Sequence, residues 1–326
     1  MQATHKVKRQ LVKFDEGGKL NLVTDETPSL KENQVLIRVK YAPVTNFDKA
    51  CLSMKKEMDK PKSEEERACG TEGCGIIEEC GPGVDQSLKG RKVAFCHGGW
   101  SQFTVADIDH ILIFDDSVDL RRCATAMINP LTAICIKYIL LEQEPKSFVF
   151  LGANSTLGRI FLKIAQRKGL EPIAVCRNDD EVKSLKSELN LNNCFNCKSP
   201  DFWDRFSQVI ESMKPRFLIN PVGDEESCKV FERMPPGSEM ILLGNLGGAD
   251  LKLCTTEFFM HNKRIRGFNL ENYMTKELSD ENRRHYFKII QDDINSGGEI
   301  FSATIAKEFR LEEWSKAIES VEQYMD

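Results

Sequence analysis

The stretch FVFLGANSTLG, residues 148–158, decides the fold of this chain. Its apolar start, Phe148 to Leu151, predicts a buried strand, and the small residues after it predict a tight turn. Apolar residues at helical spacing follow on one face: Leu157, Ile160, Phe161, Ile164 and Ala165. A strand, a tight turn and a helix N-terminus in this order present free backbone N–H groups to a dinucleotide pyrophosphate. The segment therefore predicts a nucleotide-binding βα unit.

The glycine pattern of such a turn is incomplete here. Ala153 and Ser155 stand at the first two glycine positions of a GxGxxG fingerprint, and only Gly158 remains. A strand-to-helix turn that holds no cofactor is therefore an open alternative. With the rest of the pattern in view, we assign these residues of the turn to cofactor binding: Asn154, Ser155, Thr156, Leu157 and Gly158.

Apolar strands and helices alternate around this unit from about residue 121 to residue 268. Strands are predicted at 148–151, 173–176, 217–219 and 240–243, and helices at 180–189, 202–213 and 226–234. This rhythm is typical of parallel βαβ units in a doubly wound sheet. The fold class is therefore α/β, with a Rossmann-type dinucleotide-binding domain in the middle of the chain.

The end of the second predicted strand bears on cofactor choice. An NAD enzyme usually carries Asp or Glu there for the ribose hydroxyls, whereas this chain has Arg177 followed by Asn178. A guanidinium suits a 2′-phosphate, so the sequence favours NADP(H) and assigns both residues to the cofactor site. Two alternatives stay open. Asp179 would hold the ribose if the strand ended two residues later, and Arg177 could be a surface residue.

Two further strand ends carry small residues. In an open α/β sheet, ligands lie beyond the carboxyl ends of the strands, where small residues let the backbone approach a ribose. Each stretch alone is only a turn, but turns at successive strand ends are better explained by a cofactor. We assign these residues to it: Val222, Gly223, Gly244, Asn245 and Leu246.

The two ends of the chain have a different character. Residues 7–120 predict many short strands and turns, including a strand at Lys8 to Phe14 and an alternating strand at Gln34 to Val39. The charged segment from Lys55 to Arg67 predicts a solvated loop. After residue 268 come two amphipathic helices, at about 281–296 and 311–323, with an alternating segment from Ile300 to Phe309 between them.

Composition narrows the function classes. The chain has 326 residues, and 45 Lys and Arg against 50 Asp and Glu give a formal net charge of −5. This balance offers no electrostatic reason to bind nucleic acid or an anionic membrane. The longest apolar stretch, residues 124–141, is broken by Asn129, Pro130 and Lys137 and predicts a buried helix instead of a membrane span.

The cysteines and the first residues bear on location. Twelve cysteines are scattered, mostly in apolar segments, which predicts reduced, buried thiols; the role of the CxxC pair Cys194 and Cys197 stays open. The basic residues before Arg9 are not followed by an apolar signal-peptide core. We therefore expect a cytoplasmic protein, with a mitochondrial presequence as the less favoured alternative.

Six segments of the sequence, taken in order, carry a family resemblance. They are the opening strands at 8–45, APVTNFD at 42–48, GTEG at 70–73 with GPGV at 81–84, GWSQF at 99–103, NPLTA at 129–133 and RGF at 266–268. Together they resemble the medium-chain dehydrogenase/reductase superfamily, in its zinc-free branch of quinone oxidoreductases and enoyl thioester reductases. The resemblance implies a GroES-like β-rich catalytic domain from residues 1–120 and 269–326, a Rossmann domain from 121–268, and a cofactor in the cleft.

Departures from the family pattern bear on metal use. Thr45 and Thr71 stand where the family's zinc alcohol dehydrogenases have a Cys and a His ligand. Hydroxyls are poor zinc ligands, and Glu72 alone could not hold a catalytic zinc. The cluster of four cysteines that binds a structural zinc is also missing. The resemblance therefore implies no zinc.

Three functions stay open. The first is an NADPH-dependent reductase of quinones or activated enones, with Thr45, Asn46, Thr132 and Trp100 as catalytic candidates and Asn129 and Thr132 as cofactor residues. The second is a catalytically weakened family member that serves as a structural or regulatory subunit of a larger assembly; the changed motifs and the early C-terminus motivate it. The third is an enoyl thioester reductase, supported by NPLTA but opposed by the lack of a Tyr proton donor in residues 49–58.

The expected partners follow from these functions. A quinone or enone is the expected small-molecule substrate. The segment from Lys263 to Phe268 resembles the edge strand that pairs cofactor domains in family dimers, so a homodimer is predicted.

Overall fold

The computed structural model describes residues 6–57, 68–248 and 250–322. The chain forms two compact units. The first comprises Met1–Pro130 and Arg284–Asp326, and the second comprises Leu131–Arg283. The domain boundaries predicted from the sequence lie earlier in the chain at both points and stay a prediction.

The first unit is mainly antiparallel β-structure. Strands β1 and β2 pair with each other, and the other five form a sheet in the order β6-β3-β4-β5-β7. On the predicted inner face of β3, Val35 and Ile37 are fully buried and pack against Ile77 and Phe95. Leu36 between them is also buried, so burial does not alternate along the whole strand as predicted. The strands are β1 (Lys8–Phe14), β2 (Leu20–Glu26), β3 (Gln34–Tyr41), β4 (Glu72–Cys80), β5 (Lys92–Cys96), β6 (Phe103–Asp107) and β7 (Leu112–Phe114).

The second unit contains a six-stranded, all-parallel sheet. Its order is β10-β9-β8-β11-β12-β13, so the strand order reverses direction between β8 and β11. This is the order of a doubly wound dinucleotide-binding sheet, and it confirms the α/β fold class. The strands are β8 (Ser147–Leu151), β9 (Glu171–Cys176), β10 (Cys194–Asn196), β11 (Phe217–Asn220), β12 (Glu239–Leu242) and β13 (Arg264–Gly267).

Helices follow the strands of the second unit and pack on them. Helix α3 buries the predicted face, and Phe161 stacks edge-on against Phe148 with 5.2 Å between ring centroids. Among the described residues, the α-helices longer than three residues are α1 (Asn46–Glu57), α2 (Ile128–Leu141), α3 (Thr156–Arg167), α4 (Asp179–Leu189), α5 (Phe202–Met213), α6 (Glu225–Arg233), α7 (Thr256–Phe259), α8 (Asp280–Asn295) and α9 (Trp314–Glu322).

Two segments differ from what their sequence patterns suggest. The segment from Ile300 to Phe309 forms no strand despite its alternation, and Ile305 remains 43% exposed because no described strand pairs with the segment. The predicted loop from Lys55 begins inside α1, and its residues 58–67 lie outside the described residues.

Strand β13 is the last strand on its edge of the sheet, as predicted, and all four of its residues are exposed. Within the described ranges, no helix combines the length and the apolarity that crossing a bilayer requires.

Candidate functional site

The turn after β8 is tightly built. Gly152 has φ +60°, the Ala153 N–H donates to the Val175 carbonyl at 3.1 Å, and Ser155 caps α3 by accepting from the Gly158 N–H at 3.1 Å. A Cβ on Gly158 would collide with the Ala153 carbonyl oxygen. Gly158 is therefore required for the close approach of turn and helix. The exposed Ser155 and Thr156 stand at the helix N-terminus, where the first N–H groups have no intrahelical acceptor.

Arg159 holds this turn in place, and sequence reasoning missed it. Its guanidinium donates to the Asn154 side-chain oxygen at 2.6 Å and to the Asn154 carbonyl at 3.3 Å. It also donates to Ser184 at 2.8 Å and pairs with Glu188, both on α4. A positive charge in the first turn of a helix is unfavourable with the helix dipole. The position of Arg159 in the sequence could therefore have indicated that its guanidinium has a specific local role. Asn154 therefore supports the turn through Arg159.

Arg177, just after β9, is already paired. Its backbone N–H donates to Glu181 Oε2 at 3.0 Å, and its guanidinium Nη2 donates to Oε1 at 3.1 Å. Asn178 caps α4 by accepting from the Glu181 N–H at 2.9 Å. The alternative ribose ligand, Asp179, accepts from the Asn196 side chain at 3.1 Å. The spacing of four residues between Arg177 and Glu181 could have predicted this ion pair.

The ends of β8, β11 and β12 meet at one edge of the sheet. Asn220, the last residue of β11, accepts from the Val222 and Gly223 N–H groups, each at 3.0 Å. Gly223 has φ +71°, and a Cβ there would stand 2.8 Å from the Gly244 carbonyl oxygen. A Cβ on Gly152 would lie 3.6 Å from the Val222 side chain. We call this region, from the turn after β8 to the half-buried Gly244 and Leu246 and the exposed Asn245, the carboxyl edge.

The carboxyl edge fits a dinucleotide. It lies where the strand order reverses, and it begins at a helix N-terminus. Its glycines let the neighbouring turns approach each other closely. The structure thus brings together most of the cofactor residues predicted in the second unit. Sequence reasoning missed Asn220, which orients the turn after β11; an Asn directly at a strand end was the signal.

A buried carboxylate dominates the candidate residues of the first unit. Asp48, 2% exposed, receives the Thr45 N–H at 2.9 Å and hydroxyl at 2.7 Å on one oxygen. Its other oxygen receives the Thr71 N–H at 3.0 Å and hydroxyl at 2.7 Å. Burial raises the pKa of Asp48, and the four donated hydrogen bonds counter that rise. We call Asp48, Thr45 and Thr71 the Asp48 cluster.

Glu72 is a second buried carboxyl group in this unit. Its Oε2 accepts from the Met127 N–H at 2.9 Å and the Ile128 N–H at 3.0 Å, at the start of α2. Burial raises the pKa of Glu72 to about 8; the two hydrogen bonds oppose the rise and the Asp48 charge adds to it. Two residues predicted to line the site follow in α2, the half-buried Asn129 and the buried Thr132.

Two other catalytic candidates occupy contrasting places. Asn46 is exposed at the start of α1. Trp100 is 5% exposed, packs with Val12, Phe14, Leu52 and Cys69, and donates its indole N–H to the Pro43 carbonyl at 2.8 Å. The ring of Trp100 therefore has a packing role in this cluster, and its catalytic role stays a prediction.

The donor set at the Asp48 cluster does not suit zinc. Both threonine hydroxyls donate to Asp48, so their protons are committed, and neutral hydroxyls compete poorly with thiolate and imidazole as ligands. In the part of the chain that the structure describes, no three His, Cys, Asp or Glu side chains form a group suited to a metal ion.

The two cysteines of the CxxC pair have different surroundings. The thiol of Cys194 lies 3.9 Å from the thiol of Cys176, whereas Cys197 is half-buried.

The comparisons with known proteins agree with this architecture. Residues 31–113 match the alcohol dehydrogenase GroES-like domain. The chain is similar to the mitochondrial enoyl-[acyl-carrier-protein] reductase of Bos taurus, with 24% identity over 264 residues, which are 78% of this chain and 69% of that protein. The corresponding Caenorhabditis elegans protein is 25% identical over 207 residues, 61% of this chain and 59% of its own length.

Solved structures share the fold at low identity. The Escherichia coli quinone oxidoreductase complexed with NADPH has a TM-score of 0.79 at 20% identity, covering 98% of this chain and 97% of that chain. The mitochondrial 2-enoyl thioester reductase heterodimer of Candida tropicalis has a TM-score of 0.76 at 19% identity, covering 97% and 98%. Together with the GroES-like match, these findings confirm the resemblance to the zinc-free branch of the medium-chain dehydrogenase/reductase superfamily.

The prediction of a cytoplasmic location is wrong by the same comparisons. The enoyl reductases from B. taurus, C. elegans, Yarrowia lipolytica and Arabidopsis thaliana are all named as mitochondrial. The absence of a signal-peptide core had excluded only the secretory route, and it did not distinguish cytosol from mitochondrion.

Proposed function

We propose that this protein is a zinc-independent, NADPH-dependent reductase of quinones or activated enones. The observation that carries the proposal is the carboxyl edge, where glycines and an exposed helix N-terminus gather at the point of strand-order reversal. Ligands of doubly wound sheets bind at this point. The E. coli quinone oxidoreductase, which shares the fold, is complexed with NADPH.

The chain's own residues would hold the cofactor in three places. The N–H groups of Thr156 and Leu157, at the start of α3, would receive the pyrophosphate. Arg177 would pair with the 2′-phosphate. Val222, Gly223, Gly244, Asn245 and Leu246 would line the nicotinamide ribose. The bound cofactor supplies a hydride for the reduction.

The polar residues of the first unit favour an acceptor that needs no dedicated acid. The Thr45 hydroxyl donates to Asp48, so it has no second proton for a substrate oxygen. A quinone delocalises the negative charge that it gains and can take its proton from water. Asn46, exposed at the start of α1, remains a candidate for orienting the acceptor. The other candidate, Thr132, belongs to the second unit.

Zinc independence is part of the proposal. It is supported by the commitment of Thr45 and Thr71 to Asp48, which leaves two weak oxygen donors at the positions of the family's ligands. Elemental analysis of the purified protein tests it, since stoichiometric zinc would contradict it.

An enoyl thioester reductase is the second candidate. The motif from Asn129 to Ala133 and the names of the curated relatives favour it. Residues 49–58 contain no Tyr at the place of the family's proton donor, which opposes it. Because those relatives are named as mitochondrial, we also propose that this protein resides in mitochondria, which cell fractionation with antibody detection would test.

A homodimer through β13 is also proposed. The strand is an exposed sheet edge, and the same unit exposes Phe259 and Met260 at 71% and 66%. Exposed edges and apolar side chains of this kind are normally paired or covered. The alternative of a subunit in a larger complex would use the same surface.

The direct experiment is NADPH consumption by the purified chain with a panel of benzoquinones, naphthoquinones and enoyl-CoA thioesters. We expect turnover with quinones, slower turnover with NADH, and little with the thioesters. Preference for the thioesters would favour the second candidate. Tight NADPH binding without consumption by any acceptor would contradict a reductase and favour a structural or regulatory subunit.

A further inference from the structure

The ion pair between Arg177 and Glu181 has a consequence for cofactor choice. The guanidinium side chain is 52% exposed, whereas the Glu181 side chain is only 13% exposed. Glu181 also accepts the Arg177 backbone N–H through its second oxygen, at 3.0 Å. The carboxylate is therefore anchored at the end of β9, while about half of the Arg177 side chain faces solvent.

We propose that Glu181 is a specificity-determining residue that competes with the cofactor's 2′-phosphate for Arg177. The inference rests on the proposed function, because it assumes that Arg177 meets the adenosine ribose. A phosphate that takes the Nη2 donor displaces it from Oε1 of Glu181, while Oε2 keeps the backbone N–H. A phosphate that pairs with the other guanidinium N–H groups still meets the neighbouring Glu181 charge. Glu181 thus reduces the binding affinity that a 2′-phosphate adds, and it makes the preference for NADPH over NADH smaller.

The charge around Arg177 supports a competitor role. The first turn of α4 holds three acids, Asp179, Asp180 and Glu181. Asp179 is bound by Asn196, and Asp180 is almost fully exposed beside Lys183 at 3.6 Å. Glu181 is the acid of this turn that contacts the guanidinium, and it is less screened by water than Asp180. Its charge therefore opposes a phosphate dianion most strongly.

The variant Glu181→Gln isolates the charge. Glutamine keeps the side-chain length and one carbonyl oxygen that can accept the Arg177 N–H, so the strand end and helix start retain their contacts. The matched control is Asp180→Asn, which removes the same charge from the same helix turn without touching Arg177. Thermal melting of each full-length variant checks folding.

The experiment is calorimetric titration of the full chain with adenosine 2′,5′-bisphosphate and with adenosine 5′-monophosphate. For Glu181→Gln we expect about 3–10-fold tighter binding of the bisphosphate and a change below about twofold for the monophosphate. Asp180→Asn should change either affinity by less than about twofold. Adding Arg177→Ala to Glu181→Gln should abolish the gain, because the competitor acts only through Arg177.

Several outcomes would overturn the inference. Equal changes for both nucleotides, or weaker bisphosphate binding in Glu181→Gln, would make Glu181 a structural partner of Arg177 while leaving the proposed cofactor site intact. An equal increase in bisphosphate affinity in Asp180→Asn would mean that the effect comes from the net charge of the helix and not from the contact between Glu181 and Arg177. If the unmodified chain bound neither nucleotide, the proposed function itself would fail, and the inference would fail with it.

Discussion

The Asp48 cluster and the carboxyl edge hold their polar groups in opposite ways. In the cluster, both carboxylate oxygens are saturated by two hydroxyls and two N–H groups in a buried site. At the carboxyl edge, Ser155 and Thr156 at a helix N-terminus and Asn245 in the last turn remain exposed. The difference shows that polar residues at the positions of a family's metal ligands can serve to stabilise the fold instead of binding a ligand. The exposed helix N-terminus that the proposal assigns to the cofactor lies in the other unit.

The largest expected effect comes from breaking the scaffold. Asp48→Ala would leave two hydroxyls and two N–H groups without their buried acceptor, and it should lower the free energy of unfolding by about 3–5 kcal/mol. Urea denaturation followed by tryptophan fluorescence measures this. The exposed Asp109→Ala should cost less than about 0.5 kcal/mol. A small loss for Asp48→Ala would show that the cluster is not scaffold.

The buried carboxyl group of Glu72 should make the stability of the protein depend on pH. Its pKa is raised to about 8, so the folded state holds a proton that the unfolded state releases above its ordinary value of 4.5. Stability should therefore fall as pH rises from about 5 to 8, by a few kcal/mol at most. Glu72→Gln should flatten this slope. Parallel pH profiles for the two proteins would contradict the raised pKa.

Gly158 probes the carboxyl edge itself. Gly158→Ala should push the turn away from α3 and destabilise the protein by about 1–3 kcal/mol, with weaker NADPH binding. The control is Gly267→Ala, which has open space at its Cβ position and should be nearly neutral. Unchanged melting and unchanged NADPH affinity in Gly158→Ala would mean that the turn is not tightly packed.

The smallest expected effect concerns association. Replacing Phe259 and Met260 together by Ser should weaken the proposed homodimer about tenfold or more, as measured by sedimentation across a concentration series. Ile305→Ser, at another exposed apolar residue, should leave association unchanged. A monomer at micromolar concentration in the unmodified chain would contradict the dimer outright.

Periodicity was enough to predict most of the fold. Strand β1 and helix α5 have the predicted bounds. In α5 the buried residues Phe202, Phe206 and Ile210 recur at helical spacing. In β1 the buried residues Leu11, Val12 and Phe14 do not alternate strictly. The segment from Ile300 to Phe309 alternates but forms no strand, because a strand needs a partner and alternation does not supply one.

The candidate site was predictable only in part. The strand ends of the second unit follow from a parallel sheet, so residues such as Gly223 and Gly244 could be assigned from their position. The Asp48 cluster joins residues 23 positions apart in the chain, and hydroxyls were expected to line a pocket instead of donating to one carboxylate. The burial of Trp100 depends on packing among four distant segments, which sequence spacing does not reveal.

The most direct test of the central claim is the affinity of the unmodified chain and of Arg177→Ala for NADPH and NADH, measured by calorimetry. A carboxyl edge that holds the phosphorylated cofactor predicts tighter NADPH binding. It also predicts a loss of about 10–100-fold for NADPH alone in Arg177→Ala. Equal loss of affinity for both cofactors in Arg177→Ala would mean that Arg177 only supports the fold. Tighter binding of NADH than of NADPH by the unmodified chain would favour Asp179 as the ribose ligand. No binding of either cofactor at millimolar concentration would contradict the account.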